Sequence, residues 1–247
     1  ALADALDILE REAGLPAGAV KVELMIESAA ALAGAEGCCP VLAMVQAARG
    51  RCTGAHFGPF DFTSSCGVTS KYQDLRHPLC DYARRVMQVA LAGTDVFLSD
   101  GPTTVIPVAV HKNPASQEDL EENLRAVHAA WRLHFDNVWR ALREGIYQGW
   151  DLHPAQLPAR YAALYLFFLS ELPAASGRLR NFMDNAARAT MAGSVFDDAA
   201  SAQGLLNFFL RAINCGAIQE AEAPALSGLS LDELRLGAFP AIMRRRF

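Results

Sequence analysis

An α/β fold with a parallel sheet is predicted by three observations. Four short β-like runs are each bounded by turn residues, apolar residues recur at helical spacing between them, and from about Pro154 onward the pattern is helical only. Parallel strands cannot be joined by a tight turn and need a crossover, which the intervening helices supply.

The first run, "VKVELMI" from Val20, is followed by a small-residue stretch and then "VLAMVQAARG", where Gly50 marks a helix stop. The second, "CTGAHF" from Cys52, ends on Gly58-Pro59; the helix after it, "HPLCDYARRVMQVALAG", places Leu79, Tyr82, Val86 and Val89 on one face and stops at Gly93. The third, "DVFLS" from Asp95, leads into "SDGPTTVIPVAVHKNPASQ", longer and more polar than such a connection normally is. That segment is expected either as a substrate loop with Thr103 and Thr104 as donors or as an added strand. The next helix carries Leu120, Leu124, Val127, Trp131, Phe135, Val138 and Leu142 at steps of three and four. It starts at a Ser116 cap with acids in its first turn and stops at Gly145. Its apolar stripe fits core packing or a coiled-coil seam. The fourth run is "IYQGWDL" from Ile146. After it come "PAQLPARYAALYLFFLSEL", "SGRLRNFMDNAARATMAG", "DDAASAQGLLNFFLRAINCG" and "SLDELRLG". This helical extension is expected to cover one face of the sheet or to reach another subunit.

Composition narrows the function classes. The 247 residues are 52% hydrophobic and 20% charged with a net charge of -5, an ordinary acidic globular balance. Lys and Arg are scattered, so no basic stripe offers itself to phosphates, and the short run Arg244 to Arg246 reads as a solvated tail. The six cysteines show no C-x-x-C spacing and are expected as reduced thiols of a cytoplasmic protein. The apolar stretch "YAALYLFFL" falls short of the roughly 20 residues of a spanning helix, and the N-terminus shows no signal-peptide pattern. Neither nucleic acid nor membrane is an expected partner.

Two acids stand where chemistry collects in a parallel sheet. Glu27 follows the apolar Ile26 at the end of the first run, and Asp61 lies just past the turn that ends the second. Adjacent strands are about 4.8 Å apart, so carboxylates at neighbouring strand ends can close on one cation. Mg²⁺ suits such a pair, because it takes oxygen ligands and keeps positions for water and substrate. Alternatively, both acids cap the helices that follow. His56 lies five residues before Asp61, either within reach of a metal or satisfied in the core; His77 and His153, each before a proline, read as shaping element ends. The H-E-x-x-H, G-x-S-x-G, Walker and G-x-G-x-x-G patterns are absent from the sequence.

In order, "VKVELMIES", "GAHFGPFDFTSSCGV", "GWDLHPAQL" and "GSVFDDA" resemble four motifs of the citrate-lyase-β and malyl-CoA-lyase branch of the HpcH/HpaI aldolases. Those enzymes belong to the phosphoenolpyruvate/pyruvate superfamily of (β/α)₈ barrels, and the likeness extends to a bacterial aldolase-like branch of it. The resemblance implies the C-terminal half of a TIM barrel, strands five to eight, with residues 1–158 forming four βα units. Residues 159–247 would hold the last barrel helix and a helical extension or lid. It implies Mg²⁺ on Glu27 and Asp61, and it maps a lid aspartate, often donated across a subunit boundary, onto Asp197 as the acid/base. Asp197 also reads as a helix N-cap.

The implied activity is that of a Mg²⁺-dependent carbon–carbon lyase of the aldol or Claisen type. It would act on a 2-oxo or 2-hydroxy carboxylate, or its coenzyme A thioester, through a metal-stabilised enolate, in a cytoplasmic homo-oligomer. The alternatives are a phosphoenolpyruvate-utilising phosphotransferase and a non-catalytic barrel that serves as a scaffold or binding subunit. A complete barrel takes about 250 residues in eight βα units, so the resemblance implies that the first half, with the substrate-binding arginine of strand three, lies outside this sequence. Four strands alone leave two open edges, and such a segment is expected to be poorly soluble or to dimerise.

Overall fold

A computed structural model describes residues 1–191 and 199–246. They form two compact units, Ala1–Arg160 and Tyr161–Phe247. The first unit opens with helix α1 (Leu2–Ala13), which ends on a left-handed Gly14. Strand β1 (Val22–Ile26) follows, then the short α2 (Ala29–Leu32) and α3 (Val41–Ala47), then β2 (Cys52–Phe57). Helices α4 (Pro59–Ser65) and α5 (Pro78–Leu91) lead to β3 (Phe97–Asp100), and α6 (Gln117–Arg143) leads to β4 (Gln148–Gly149). The sheet has the sequential order β1-β2-β3-β4 and every pairing is parallel. A mixed α/β architecture with a four-stranded parallel sheet is therefore what the alternation of runs foretold. The fourth strand keeps only two residues of its predicted run.

Successive side chains on a strand point to opposite faces, and the two faces of this sheet differ in kind. Leu24 and Ile26 of β1, Ala55 and Phe57 of β2, and Leu98 of β3 join a core with Val41, Phe62, Cys80, Ala83, Met87 and Leu91 from the helices. The other face carries Glu23, Met25, His56 and Phe97 around Gly54 of β2. A Cβ on Gly54 would collide with the Phe97 ring, so that ring leans over the bare backbone. Met25 on this face is 44% exposed.

At the other ends of the strands, α1 is tied on by charge. Buried Arg51 donates to Glu10 Oε1 at 2.5 Å and Oε2 at 2.8 Å, to Val20 O at 3.1 Å, and to Asp7. Glu10 also accepts from the Gly18 and Val20 amides. The Arg51 hydrogen bonds, with those two amides, outweigh burial and hold the Glu10 carboxyl at about 2.

Three helix expectations need correction. In α5 the buried residues are Cys80, Ala83, Arg84, Met87 and Leu91, while Tyr82 and Val89 face solvent; the core face is rotated because a buried arginine reads as polar. In α6 burial begins only at Ala130, and Leu120 and Leu124 are exposed. The two helical patterns on either side of Pro173 are one helix, α7 (Leu157–Met191). Residues 101–115 form no strand. They make a strap, tied to α6 where the His111 amide donates to Asn123 Oδ1 at 2.8 Å and Asn123 Nδ2 donates to His111 O at 2.9 Å.

The second unit holds the rest of α7, α8 (Ala199–Asn214), α9 (Ala223–Ser227), α10 (Leu231–Arg235) and α11 (Phe239–Arg246). Phe168, Leu179, Leu206, Phe209 and Phe239 are buried within it. Arg180 donates to the carbonyls of Ala225 and Leu226, at 2.6 and 3.0 Å, holding the last carbonyls of α9. Among the described residues no helix is long and apolar enough to cross a membrane.

Candidate active site at the ends of the parallel strands

Glu27 is the first residue past β1, and Asp61 sits in the first turn of α4, directly after β2. Their backbones are held together by the Gly58 amide, which donates to Ile26 O at 2.9 Å. A Cβ on Gly58 would lie 2.6 Å from Glu27 Cβ and 3.1 Å from Glu27 Oε2. The Glu27 side chain therefore lies across Gly58, at the turn that leads to Asp61. On the next strand, a Cβ on Gly101 would lie 2.5 Å from Pro59 Cδ, so the absence of a side chain lets the first residue of α4 seat against the end of β3. Both acids are exposed, and neither makes a hydrogen bond or ion pair with a described residue. No group of three or more His, Cys, Asp or Glu side chains that could hold a metal occurs among the described residues.

His56, one face-repeat before Gly58, is half-buried and committed elsewhere. Its Nε2 lies 2.6 Å from Glu23 Oε2, and its ring meets Phe97 edge-on at 5.8 Å. His77 and His153 do shape element starts: their Nδ1 atoms accept from the Leu79 amide at 3.2 Å and the Ala155 amide at 3.1 Å.

Two polar clusters that local patterns did not reveal lie beside the ends of β3 and β4. In the first, Arg84 is 1% exposed and donates to Asp100 Oδ2 at 2.9 Å and to Asp81. Asp81 is shared with Arg140, whose Nε donates to Glu144 Oε1 at 3.1 Å. Burial pushes the Asp100 carboxyl up, against the pull of Arg84 and of the Gly101 amide.

The second cluster is built on Thr103, the predicted donor. Its hydroxyl accepts from Asn137 Nδ2 at 2.9 Å and lies 2.9 Å from His134 Nδ1. On the other side of the ring, His134 Nε2 lies 2.7 Å from Asp151 Oδ1, an ion-pair distance. Arg160 Nε donates to Asp151 Oδ2 at 2.7 Å. Burial alone would raise the Asp151 carboxyl; hydrogen bonds from His134 and Arg160 outweigh it and hold it at about 2. Gln156, fully buried, closes the cluster by donating to the carbonyls of Thr103 at 2.8 Å and Val105 at 3.2 Å. The free space here is about 10 Å³, too little for a substrate, so Thr103 supports the rim from behind. Thr104 is exposed. Asp197 lies outside the described residues.

The parallel α/β fold is similar to that of a citrate lyase of known structure. The chain matches the crystal structure of a citrate lyase from Burkholderia xenovorans LB400 with a TM-score of 0.56 and 20% identity, covering 91% of this chain and 62% of that one. It thus spans less than two thirds of that lyase. No curated protein matches the sequence. The chain belongs to the family described as "Domain of unknown function (DUF6986)", which matches residues 1–242.

Proposed function

We propose that this chain carries the metal-binding half of a Mg²⁺-dependent carbon–carbon lyase of the aldol or Claisen type, built as strands five to eight of a (β/α)₈ barrel. The observation that carries the proposal is the pair Glu27 and Asp61. Two exposed carboxylates without partners among the described residues follow neighbouring parallel strands, and Gly58 makes room for one of them. Had they served as structural caps or ion pairs, their oxygens would be engaged. Hard oxygen donors with room for water and substrate fit Mg²⁺. When bound, the ion supplies Lewis-acid charge for the enolate that develops as the carbon–carbon bond breaks. The chain's own part is to hold and orient: Glu27 and Asp61 would hold the cation over the strand ends, where its charge would offset theirs and that of a substrate carboxylate, and the packed clusters behind β3 and β4 keep that rim rigid. Asp197 is assigned the proton transfer, by resemblance alone.

The test combines Mg²⁺ titration calorimetry with cleavage assays on a panel of 2-oxo acids, 2-hydroxy acids and their coenzyme A thioesters. Glu27→Gln and Asp61→Asn are each expected to weaken Mg²⁺ binding at least about tenfold, the loss that even outer-shell changes at metal sites produce. Asp197→Asn is expected to leave Mg²⁺ binding intact and abolish cleavage. Unchanged metal affinity in both carboxylate variants would remove the proposal.

A further inference from the structure

We propose that α6 is a self-association surface: two copies of this chain pair through the N-terminal halves of their α6 helices, antiparallel about a twofold axis near residues 125 and 126. Helix α6 has 27 residues, about 40 Å at 1.5 Å per residue, whereas β3 has four, about 13 Å of strand. The helix therefore overhangs the sheet, and the first part of its apolar stripe stays about half exposed. Leu120 is 46% and Leu124 58% exposed. The strap laid against the same stretch by His111 and Asn123 adds three exposed valines, at 105, 108 and 110. Isolated exposed leucines need no explanation, but two on one helix face, with three exposed valines on a strap tied to the same stretch, point to an interaction surface.

Charge selects the occupant. Along the overhang the acids come first, Glu118, Asp119, Glu121 and Glu122, and the arginines after them, Arg125 and Arg132. Arg132 has a side chain 79% exposed and meets Asp136 of its own helix at 3.3 Å, as Glu121 meets Arg125 at 3.8 Å; exposed pairs of this kind are weak enough to exchange for pairs across an interface. A parallel copy would set Glu121 against Glu121. An antiparallel copy instead sets Glu121 against Arg132 of the partner subunit, Leu120 against Trp131 of the partner subunit, and Leu124 against Val127 of the partner subunit. A twofold contact of this sort is self-complementary, each pair occurring twice. The surface thus carries on one helix both halves of the match that its partner must have.

The test is light scattering on the 247-residue chain across a concentration series. A concentration-dependent dimer is expected, and Leu124→Glu is expected to shift it to monomer mass with an unchanged far-UV spectrum. Glu121→Arg is expected to raise the dimer dissociation constant about tenfold, in the range of like-charge contacts at interfaces. Glu121→Arg combined with Arg132→Glu is expected to restore it, because the reversed pairs again meet across the axis. The charge arm decides if Leu124→Glu fails to fold. A monomeric wild type, or a dimer indifferent to both Glu121→Arg and the double reversal, would overturn the proposal.

Discussion

Arg84 shows how a single buried charge is tolerated. A guanidinium removed from water costs several kcal/mol unless it is paired; Asp100 and Asp81 take its two Nη groups, while Nε has no hydrogen-bond partner among the described residues. Replacing Arg84 by Met leaves Asp100 buried without its cation, so unfolding should become easier by about 3 to 5 kcal/mol. All three tryptophans, Trp131, Trp139 and Trp150, lie in the first unit, so their fluorescence during a urea titration reads this loss directly. Asp151 makes a second residue-scale prediction, about acid. Its carboxyl is held at about 2 instead of the ordinary 3.8. A carboxyl depressed on folding stabilises above its unfolded value, and that contribution fades as pH falls from about 4 towards 2, an effect on the order of 2 kcal/mol. In Asp151→Asn the fall in stability over that interval should be shallower by this amount, measured as urea midpoints at successive pH values.

At the scale of elements, capping is the most local of the signals and the easiest to test. The Ser116 hydroxyl accepts from the Asp119 amide at 3.1 Å, and Asp119 Oδ2 accepts from the Ser116 amide at 3.3 Å, a reciprocal box at the start of α6. Ser116→Ala should cost about 1 kcal/mol in thermal or urea unfolding. Pro173 is the reverse case, since it sits inside α7, lacks an amide proton and is exposed. Pro173→Ala should raise the melting temperature, with a gain of about 1 to 3 kcal/mol. These two elements also show what a sequence discloses. Strand β2, bounded by Gly58-Pro59, and helix α6, between Ser116 and Gly145, were legible because their boundaries are written in neighbouring residues. The rim acids Glu27 and Asp61 were legible for the same reason, each being the first carboxylate past a run. The continuation of α7 through Pro173 was not, because tertiary packing overrode a local breaker. Nor was the inner face of α5, although Cys80, Ala83 and Met87 flank Arg84 at helical spacing. The pairs Arg84 with Asp100 and His134 with Thr103 are long-range contacts that leave no periodic trace.

For the molecule as a whole, the sheet is firmest at its centre and weakest at β4. Strand β2 is paired on both sides and buries Ala55 and Phe57 completely, while β4 contributes two residues to a single pairing. Amide hydrogen exchange should follow that gradient, with Ala55 and Phe57 among the slowest and Gln148 and Gly149 orders of magnitude faster; uniform protection would contradict it. The cluster around Arg84 acts at this scale too. The contacts of Cys80, Ala83, Met87 and Leu91 with the sheet are small and interchangeable, so shape alone would let α5 slip by one turn, about 5.4 Å, at little loss. Such a slip would carry the guanidinium past β3 and leave a cation in hydrocarbon. The ionic contact therefore acts as a key that fits a single notch: it forbids alternative registers of the helical layer and so fixes the height at which each strand end stands.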